Sequence, residues 1–165
     1  MITIRPRPFV RGAFASAALS VAAFSCAACG DGVPTVPEAP QVAVTINGST
    51  ANARVAATTA RRSQGLKWVT NLGASDGMLF VFADDRQRFF WMEDTPTPLS
   101  IAFIDASKKI VLIEDMAANT LTSHGGPQMR YALEVNAGWF AAHGITAGMT
   151  ATFTLPSNLT IETDP

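Results

Sequence analysis

The segment FFWMEDTPTPLSIAFID, from Phe89 to Asp105, places two carboxylates and a hydroxyl between an aromatic cluster and two prolines. A ligand-binding cleft needs an aromatic wall and a few converging polar groups, and Trp91 with Glu93 and Asp94 could supply both. Paired acid–base catalysis would need one carboxyl group with a raised pKa beside an ionised one. Adjacent residues of a strand point to opposite faces, so Glu93 and Asp94 are not expected to form such a pair.

The same segment also has the composition of a tight turn. Asp94 and Thr95 can hydrogen-bond nearby backbone groups, and Pro96 and Pro98 fix the backbone angle φ. The two interpretations are compatible. We therefore expect Asp94 and Thr95 to close a turn that lies beside the cleft, with Thr95 as a further candidate ligand-binding residue.

The period of two along a strand predicts which side chains before this turn face the core. Phe90 and Met92 are expected to pack inward, because Phe and Met fill cores well. Trp91 and Glu93 are expected to face outward, because Trp tolerates an edge where its N–H can reach a polar partner.

Glu134 lies within the otherwise apolar segment YALEV. A carboxylate beside buried neighbours is costly unless it is paired, so we expect a partner, Arg61 or Arg62. The alternative is that Glu134 faces water on the open side of a sheet. The two arginines are adjacent on a predicted helix, where one could bind an anion, although a solvated helix face is the more common arrangement.

Motifs for metal, cofactor or nucleophilic chemistry are missing from the sequence. His124 and His143 are 19 residues apart and show no metal-ligand spacing. The G-x-S-x-G match GASDG, at 73–77, lies in a predicted loop before a strand and not in a strand-to-helix elbow, and no glycine-rich phosphate loop occurs. Asp105, Glu114 and Asp115 are alternative carboxylates at strand ends, where solvated turn charges are favoured. We assign no catalytic residue, no metal ligand and no cofactor.

The elements that must position these residues are short. Alternating or continuous apolar runs predict about eight strands, and changes of period predict two short helices. Strands outnumber helices and do not alternate with them, which favours a mostly β (α+β) fold, a compact barrel or sandwich. The predicted strands cover 42–46, 53–59, 78–82, 88–92, 99–105, 108–116, 131–135 and 149–155, the predicted helices 59–69 and 137–145, and the polar stretch 117–129 is predicted to be an exposed loop.

The N-terminus has the order of a secretory signal peptide, with a basic start followed by the apolar run 13–28. The run is shorter than the ~20 residues of a spanning helix, although a retained membrane helix is the alternative. Ala27 and Ala28 before Cys29 resemble a bacterial lipoprotein signal, in which that cysteine is lipidated and becomes the new N-terminus. Cys26 stands where leucine is usual. Plain secretion is the other possibility.

The Pro- and Gly-rich segment 29–41 is predicted to be a flexible tether after the lipidated cysteine, followed by a single domain over 42–165. Cleavage after residue 28 removes three of the 12 basic residues and none of the 13 acidic ones, which leaves a net charge of 9 − 13 = −4. A mildly acidic surface argues against nucleic acid as a partner. We expect a monomer that contacts the membrane only through its lipid.

Five ordered blocks carry a family resemblance: RRSQGL, DGMLFVF, FWMEDTPTPLSIAFID, YALEVNAGWFAAHGI and AGM. Together they resemble the DUF192 family over roughly 42–155. That resemblance implies a small bacterial or archaeal domain, often secreted or membrane-tethered, and no established reaction or ligand. Departures from the family pattern replace its usual polar residues at Glu93, Asp94, Ser100 and Met149.

Two hypotheses for function follow from these features. The first is a lipid-tethered accessory or ligand-binding domain of the cell envelope, without catalytic machinery, whose partner is a small molecule, a glycan or an envelope protein. Its candidate ligand-binding residues are Arg61, Arg62, Trp91, Glu93, Asp94, Thr95 and Glu134. The alternative is a hydrolase acting on envelope or extracellular carbohydrate through carboxylates among Glu93, Asp94, Asp105 and Glu134. The predicted location is the cell envelope, at the outer membrane if the host is Gram-negative.

Overall fold

The computed structural model describes residues 38–126 and 128–164. The predicted signal peptide, the lipidation site Cys29 and most of the predicted tether lie outside these residues. Within them the protein is mostly β, with eight strands and two short helices, which confirms the predicted fold class. The strands are β1 Gln41–Ile46, β2 Ser49–Ala56, β3 Asp76–Arg86, β4 Phe89–Phe90, β5 Leu99–Ile104, β6 Ile110–Met116, β7 His124–Gly125 and β8 Met129–Asn136, and the helices are α1 Thr59–Gln64 and α2 Trp139–Ala142.

Six strands form one mixed sheet in the order β1-β2-β3-β8-β5-β6, and β4 pairs with β7 in a second, two-stranded sheet. The large sheet is open and is not closed into a barrel, so the sandwich-like description fits. Strands β1 and β2 form an antiparallel hairpin. Its turn is Asn47–Gly48, where both residues have positive φ, as the tight turns of hairpins require.

One pair of strands, β2 and β3, is parallel and is joined by a crossover that contains α1. The side chain of Thr58 caps this helix by accepting a hydrogen bond from the Arg61 N–H at 3.3 Å, and Gly65 ends it with a φ of 52°. The helix is therefore shorter than the predicted 59–69. The parallel pair and the helix between its strands form one β–α–β unit within a mainly antiparallel fold. The sequence pattern did not indicate this unit.

Each face of the large sheet packs its own apolar cluster, because successive side chains of a strand point to opposite faces. Leu79 and Val81 of β3 pack on one face with Trp139 and Phe140 of α2, and we call this cluster the α2-side core. The opposite cluster, which we call the cavity-side core, contains Met78, Phe80, Phe82, Met92, Leu99, Ile101, Phe103, Met116, Met129 and Ala132, together with Ala56 and Leu66. Residues 78–82 are thus buried on both faces, which accounts for their continuous apolar run.

Two of the predicted elements are wrong. The stretch 149–155 makes only isolated bridges, Thr45–Thr152 and Lys109–Thr150, in place of a strand. Its alternation is real, since Ala151 and Phe153 are buried in the α2-side core. The polar stretch 117–129 was predicted to be an exposed loop, yet it contains the short strand β7, which pairs with β4.

None of the helices in the described residues is both long enough and apolar enough to cross a membrane.

Candidate ligand-binding site

A half-open cavity of about 630 Å³ lies against the cavity-side core. Five aromatic side chains line it: Phe80, Phe82, Phe89, Phe90 and Trp91. Phe90 is central, because its ring meets those of Phe80, Phe82 and Phe103 edge to face at centroid distances of 5.1, 6.5 and 5.8 Å. The inner part of the aromatic wall, Phe80, Phe82 and Phe90, is therefore held by packing within the fold.

Strand geometry places these rings. Phe80 and Phe82 are two apart on β3 and so point to the same face. Phe90 is held opposite His124 by the pairing of β4 with β7. Trp91 follows β4 and is 61 % exposed while Met92 is 1 % exposed, so this part of the predicted inward and outward pattern is found. Phe90 is half-buried.

The cavity also contains the carboxyl group of Glu134. Glu134 lies on β8 between Met78 of β3 and Ile101 of β5 and is only 5 % exposed. Burial away from water raises the pKa of Glu134 from 4.5 to about 8. The group therefore carries a proton at neutral pH, and a protonated carboxyl can donate a hydrogen bond as well as accept one.

The predicted ion pair of Glu134 with Arg61 or Arg62 is wrong. Across the part of the chain that the structure describes, no ion pair joins Glu134 to either arginine, and Arg61 lines a separate, smaller cavity. Burial of Glu134 is instead accommodated by protonation, which removes the charge that would need a partner. The alternative, a Glu134 facing water, is also wrong.

Arg62 lines the aromatic cavity, but its guanidinium group does not project into solvent as a helix-face residue was expected to. Its side chain is 6 % exposed. One nitrogen donates to the carbonyl oxygens of Ala57 at 2.6 Å and Val81 at 3.2 Å, and another reaches the carbonyl oxygen of Glu162 at 2.9 Å and the carboxylate of Asp164 at 2.8 Å. Arg62 therefore ties α1 to β3 and to the C-terminal segment.

The segment EDT forms the predicted turn. The N–H of Thr95 donates to the carbonyl oxygen of Met92 at 3.1 Å, and Asp94 has a φ of 55°. Because Glu93 and Asp94 lie in this turn and not on a strand, both carboxylates reach the same ammonium group, that of Lys67, at 2.8 and 3.5 Å. The hydrogen bond to Glu93 raises the pKa of Lys67. The expectation that the two carboxylates point apart is thus wrong.

Thr95 is 5 % exposed and lines the cavity beside Lys67. Its hydroxyl donates to the carbonyl oxygen of Glu93 at 3.2 Å, and its own carbonyl oxygen accepts from the N–H of Asn119. The turn therefore fixes the Thr95 hydroxyl at the cavity wall. Glu93 and Asp94 are exposed and do not line the cavity.

The remaining candidate carboxylates lie elsewhere. Asp105 accepts hydrogen bonds from Ser107 and from the N–H of Lys109 in the turn between β5 and β6, which lower its pKa against the opposing effect of burial. Asp115 accepts a hydrogen bond from Ser100. Glu114 contacts His124 at 3.3 Å. Within the described ranges, no group of three or more His, Cys, Asp or Glu residues could hold a metal ion.

The cavity brings together Arg62, Trp91, Thr95 and Glu134 from the predicted candidate set. Sequence reasoning missed Phe80 and Phe82, although their spacing of two in DGMLFVF was a usable signal. It also missed Arg88, whose side chain is 9 % exposed, although the period of two that turns Phe90 and Met92 inward places residue 88 on the same face. Lys67 was not among the predicted candidates, but its side chain is only 18 % exposed and it lines the cavity.

Comparison with known proteins gives a family and a fold. The chain is similar to a solved protein from Sinorhizobium meliloti 1021 described as a "putative transcription regulator", with 26 % identity, a TM-score of 0.67, and coverage of 70 % of this chain and 95 % of that one. It is also similar to a protein of unknown function from Novosphingobium aromaticivorans DSM 12444, with 29 % identity, a TM-score of 0.63, and coverage of 72 % and 89 %. No curated protein matches the chain. The model of DUF192, described as "Uncharacterized ACR", matches residues 42–153, and the chain therefore belongs to the DUF192 family.

Proposed function

We propose that this protein is a small-molecule-binding domain of the cell envelope. One observation carries the proposal: a cavity of about 630 Å³ has aromatic walls and a buried carboxyl group, that of Glu134. Binding sites for small molecules are concave and mostly apolar, contain a few oriented polar groups, and have volumes in this range, roughly 300–1,000 Å³. The Thr95 hydroxyl and the protonated Glu134 are the oriented polar groups.

The character of the walls indicates the shape of the ligand. Exposed aromatic faces such as those of Trp91 and Phe89, which are 61 % and 67 % exposed, present flat apolar surface that a ring or a sugar face can cover. Because the carboxyl group of Glu134 is uncharged, it favours a ligand group that is also uncharged and forms hydrogen bonds. The ligand is therefore expected to combine a flat apolar body with hydrogen-bonding groups.

A Trp91→Ala variant is expected to bind such ligands about tenfold more weakly than the wild type, because it loses one stacking wall worth about 1.4 kcal/mol. Ligand-observed NMR against a library of aromatic and saccharide fragments provides the measurement. Trp68→Ala is the matched control, since Trp68 is also exposed, at 67 %, but does not line the cavity. Equal losses in the two variants would refute a role of the cavity wall.

A carboxylate-dependent glycoside hydrolase is the second candidate, and the raised pKa of Glu134 favours it, because a general acid needs to hold its proton near neutral pH. The only other carboxyl group among the described cavity-lining residues is that of Asp164, which is ion-paired with three arginines. The same library tested for turnover separates the candidates. If the wild type hydrolyses a saccharide and the Glu134→Gln variant does not, the protein is a hydrolase and the binding-only proposal is wrong.

The location in the envelope is the second part of the proposal, and the sequence around Cys29 supports it. Mass spectrometry of the mature protein is expected to find an acylated N-terminal Cys29, and a Cys29→Ser variant is expected to leave the membrane fraction. The Cys29→Ser variant keeps Ala27 and Ala28, so that it differs from the wild type only in the thiol that accepts the lipid. A wild-type protein recovered from the medium with an unmodified N-terminus would reject the anchor.

A further inference from the structure

The cavity contains a second polar feature, formed by Arg62 and Arg88. Their side chains are 6 % and 9 % exposed, and both line the cavity. Both guanidinium groups lie over the ring of Phe82, at 5.1 and 3.9 Å from its centroid. Two nearly buried positive charges thus contact one aromatic ring at the edge of the apolar wall.

The carboxylate of Asp164 bridges the two arginines, and Arg88 also pairs with Asp84. Arg62 Nη2 lies 2.8 Å from Asp164 Oδ1, and Arg88 Nε lies 2.7 Å from Asp164 Oδ2, so that each oxygen is bound by one arginine. Arg86 lies 3.7 Å from Oδ2. Such charge-assisted hydrogen bonds are the usual way in which proteins recognise a carboxylate.

The position of the arginine pair does not depend on Asp164. Arg62 is fixed by the carbonyl oxygens of Ala57 and Val81. Arg88 donates to the carbonyl oxygen of Met129 at 3.3 Å and also binds the side chain of Asp84. Because these acceptors belong to the sheet and its ends, the arginines would keep their positions if the Asp164 carboxylate moved away.

Asp164 itself comes from outside the family domain. The family match ends at residue 153, and Asp164 lies eleven residues beyond it. Its side chain is 24 % exposed. The segment that carries it is held near α1 by Glu162, whose N–H donates to Ala57 and whose carboxylate accepts from the N–H of Thr59 at 2.8 Å. Asp164 therefore lies outside the region that the family model matches, whereas Arg62 and Arg88 lie inside it.

We propose that Arg62 and Arg88 form a carboxylate-binding subsite of the cavity, that the ligand is an organic acid with a flat apolar body, and that Asp164 occupies the subsite until such an acid displaces it. The inference rests on the proposed function and gives its ligand class. The acid group would bind at the arginine pair while its ring lies against Phe82, Phe90 and Trp91. The intramolecular carboxylate competes with the ligand and so lowers its apparent affinity.

Titration of the full-length protein with 3-phenylpropionate and with its neutral isostere 3-phenylpropionamide, followed by NMR at pH 6, tests the inference. The acid is expected to bind at least tenfold more tightly than the amide. In Asp164→Asn the affinity for the acid is expected to rise about tenfold and that for the amide to stay unchanged. Arg88→Lys, which keeps the charge but loses the planar fork, is expected to weaken binding of the acid.

Glu162→Gln is the matched control. It removes one carboxylate from the same segment, but the glutamine oxygen can still accept from Thr59, so affinities for both probes are expected to equal those of the wild type. Equal binding of acid and amide, or an Asp164→Asn variant with unchanged affinity for the acid, would show a structural ion-pair cluster only and overturn the inference while the proposed function stands. Binding of neither probe overturns the inference, and the fragment screen then decides the proposed function.

Discussion

A Glu134→Gln variant is expected to match the wild type in stability at pH 4 and to exceed it by about 5 kcal/mol at pH 9. The folded protein raises the pKa of Glu134 from 4.5 to about 8, and each pKa unit corresponds to about 1.36 kcal/mol. Between these two values the folded chain holds a proton that the unfolded chain has released. The stability contributed by this proton is complete below pH 4.5 and is lost as the pH rises through about 8.

Urea unfolding of both proteins at intervals from pH 4 to pH 9 measures this effect. The difference between the two unfolding free energies isolates Glu134, because every other titrating group is common to both proteins. Glutamine has nearly the same shape as the protonated carboxyl, so packing in the cavity is retained. Stability curves that run parallel over the whole range would show that Glu134 is ionised in the folded protein and has a partner.

A Met92→Ala variant is expected to lose about 3 kcal/mol of unfolding free energy. Met92 is 1 % exposed in the cavity-side core, and truncating a buried Met to Ala removes its packing and leaves a void, at a cost of about 2–5 kcal/mol. Its N–H also donates to the carbonyl oxygen of Thr120 at 3.0 Å, and its carbonyl oxygen accepts from Thr95. The backbone of Met92 thus joins the turn to Thr120, while its side chain fixes the turn to the cavity-side core.

Trp91→Ala is the matched control for this measurement, since the neighbouring side chain is 61 % exposed. Its unfolding free energy is expected to change by less than about 1 kcal/mol, as is usual for exposed positions. Thermal and urea unfolding of the two variants give the comparison. A severe folding defect in Trp91→Ala with Met92→Ala tolerated would contradict the inward and outward assignment, and with it the position of Trp91 in the cavity wall.

Local apolar patterns predicted most of the strands, because side chains two residues apart on a strand point to the same face of the sheet. The stretch 149–155 shows where this reasoning fails. Its alternation buries Ala151 and Phe153, but its backbone bridges Thr45 of β1 and Lys109 beside β6, two edges of an open sheet. The period of the apolar residues in a segment indicates which side chains are buried. It does not indicate whether a partner strand lies beside the segment.

The candidate site was predictable where one segment carried the signal. The turn at Asp94 and Thr95 and the outward position of Trp91 follow from local turn chemistry and strand period. The surroundings of Arg62 did not follow, because its acceptors belong to Val81, Glu162 and Asp164, which are distant in sequence. The apolar neighbours of Glu134 indicated that it is buried. We expected an ion pair to compensate its charge, but the carboxyl group is protonated and therefore carries no charge.

The central claim is that the aromatic cavity is the place where this protein binds a small ligand. An amide chemical-shift map of the ¹⁵N-labelled protein with the tightest fragment from the screen tests it most directly. We expect saturable shifts at Gly65, Thr95 and Glu134, which line the cavity from three different elements, and no shifts at Trp139 and Phe140 in the α2-side core. Shifts confined to other surfaces, or no saturable shift with any fragment of the library, would contradict the account.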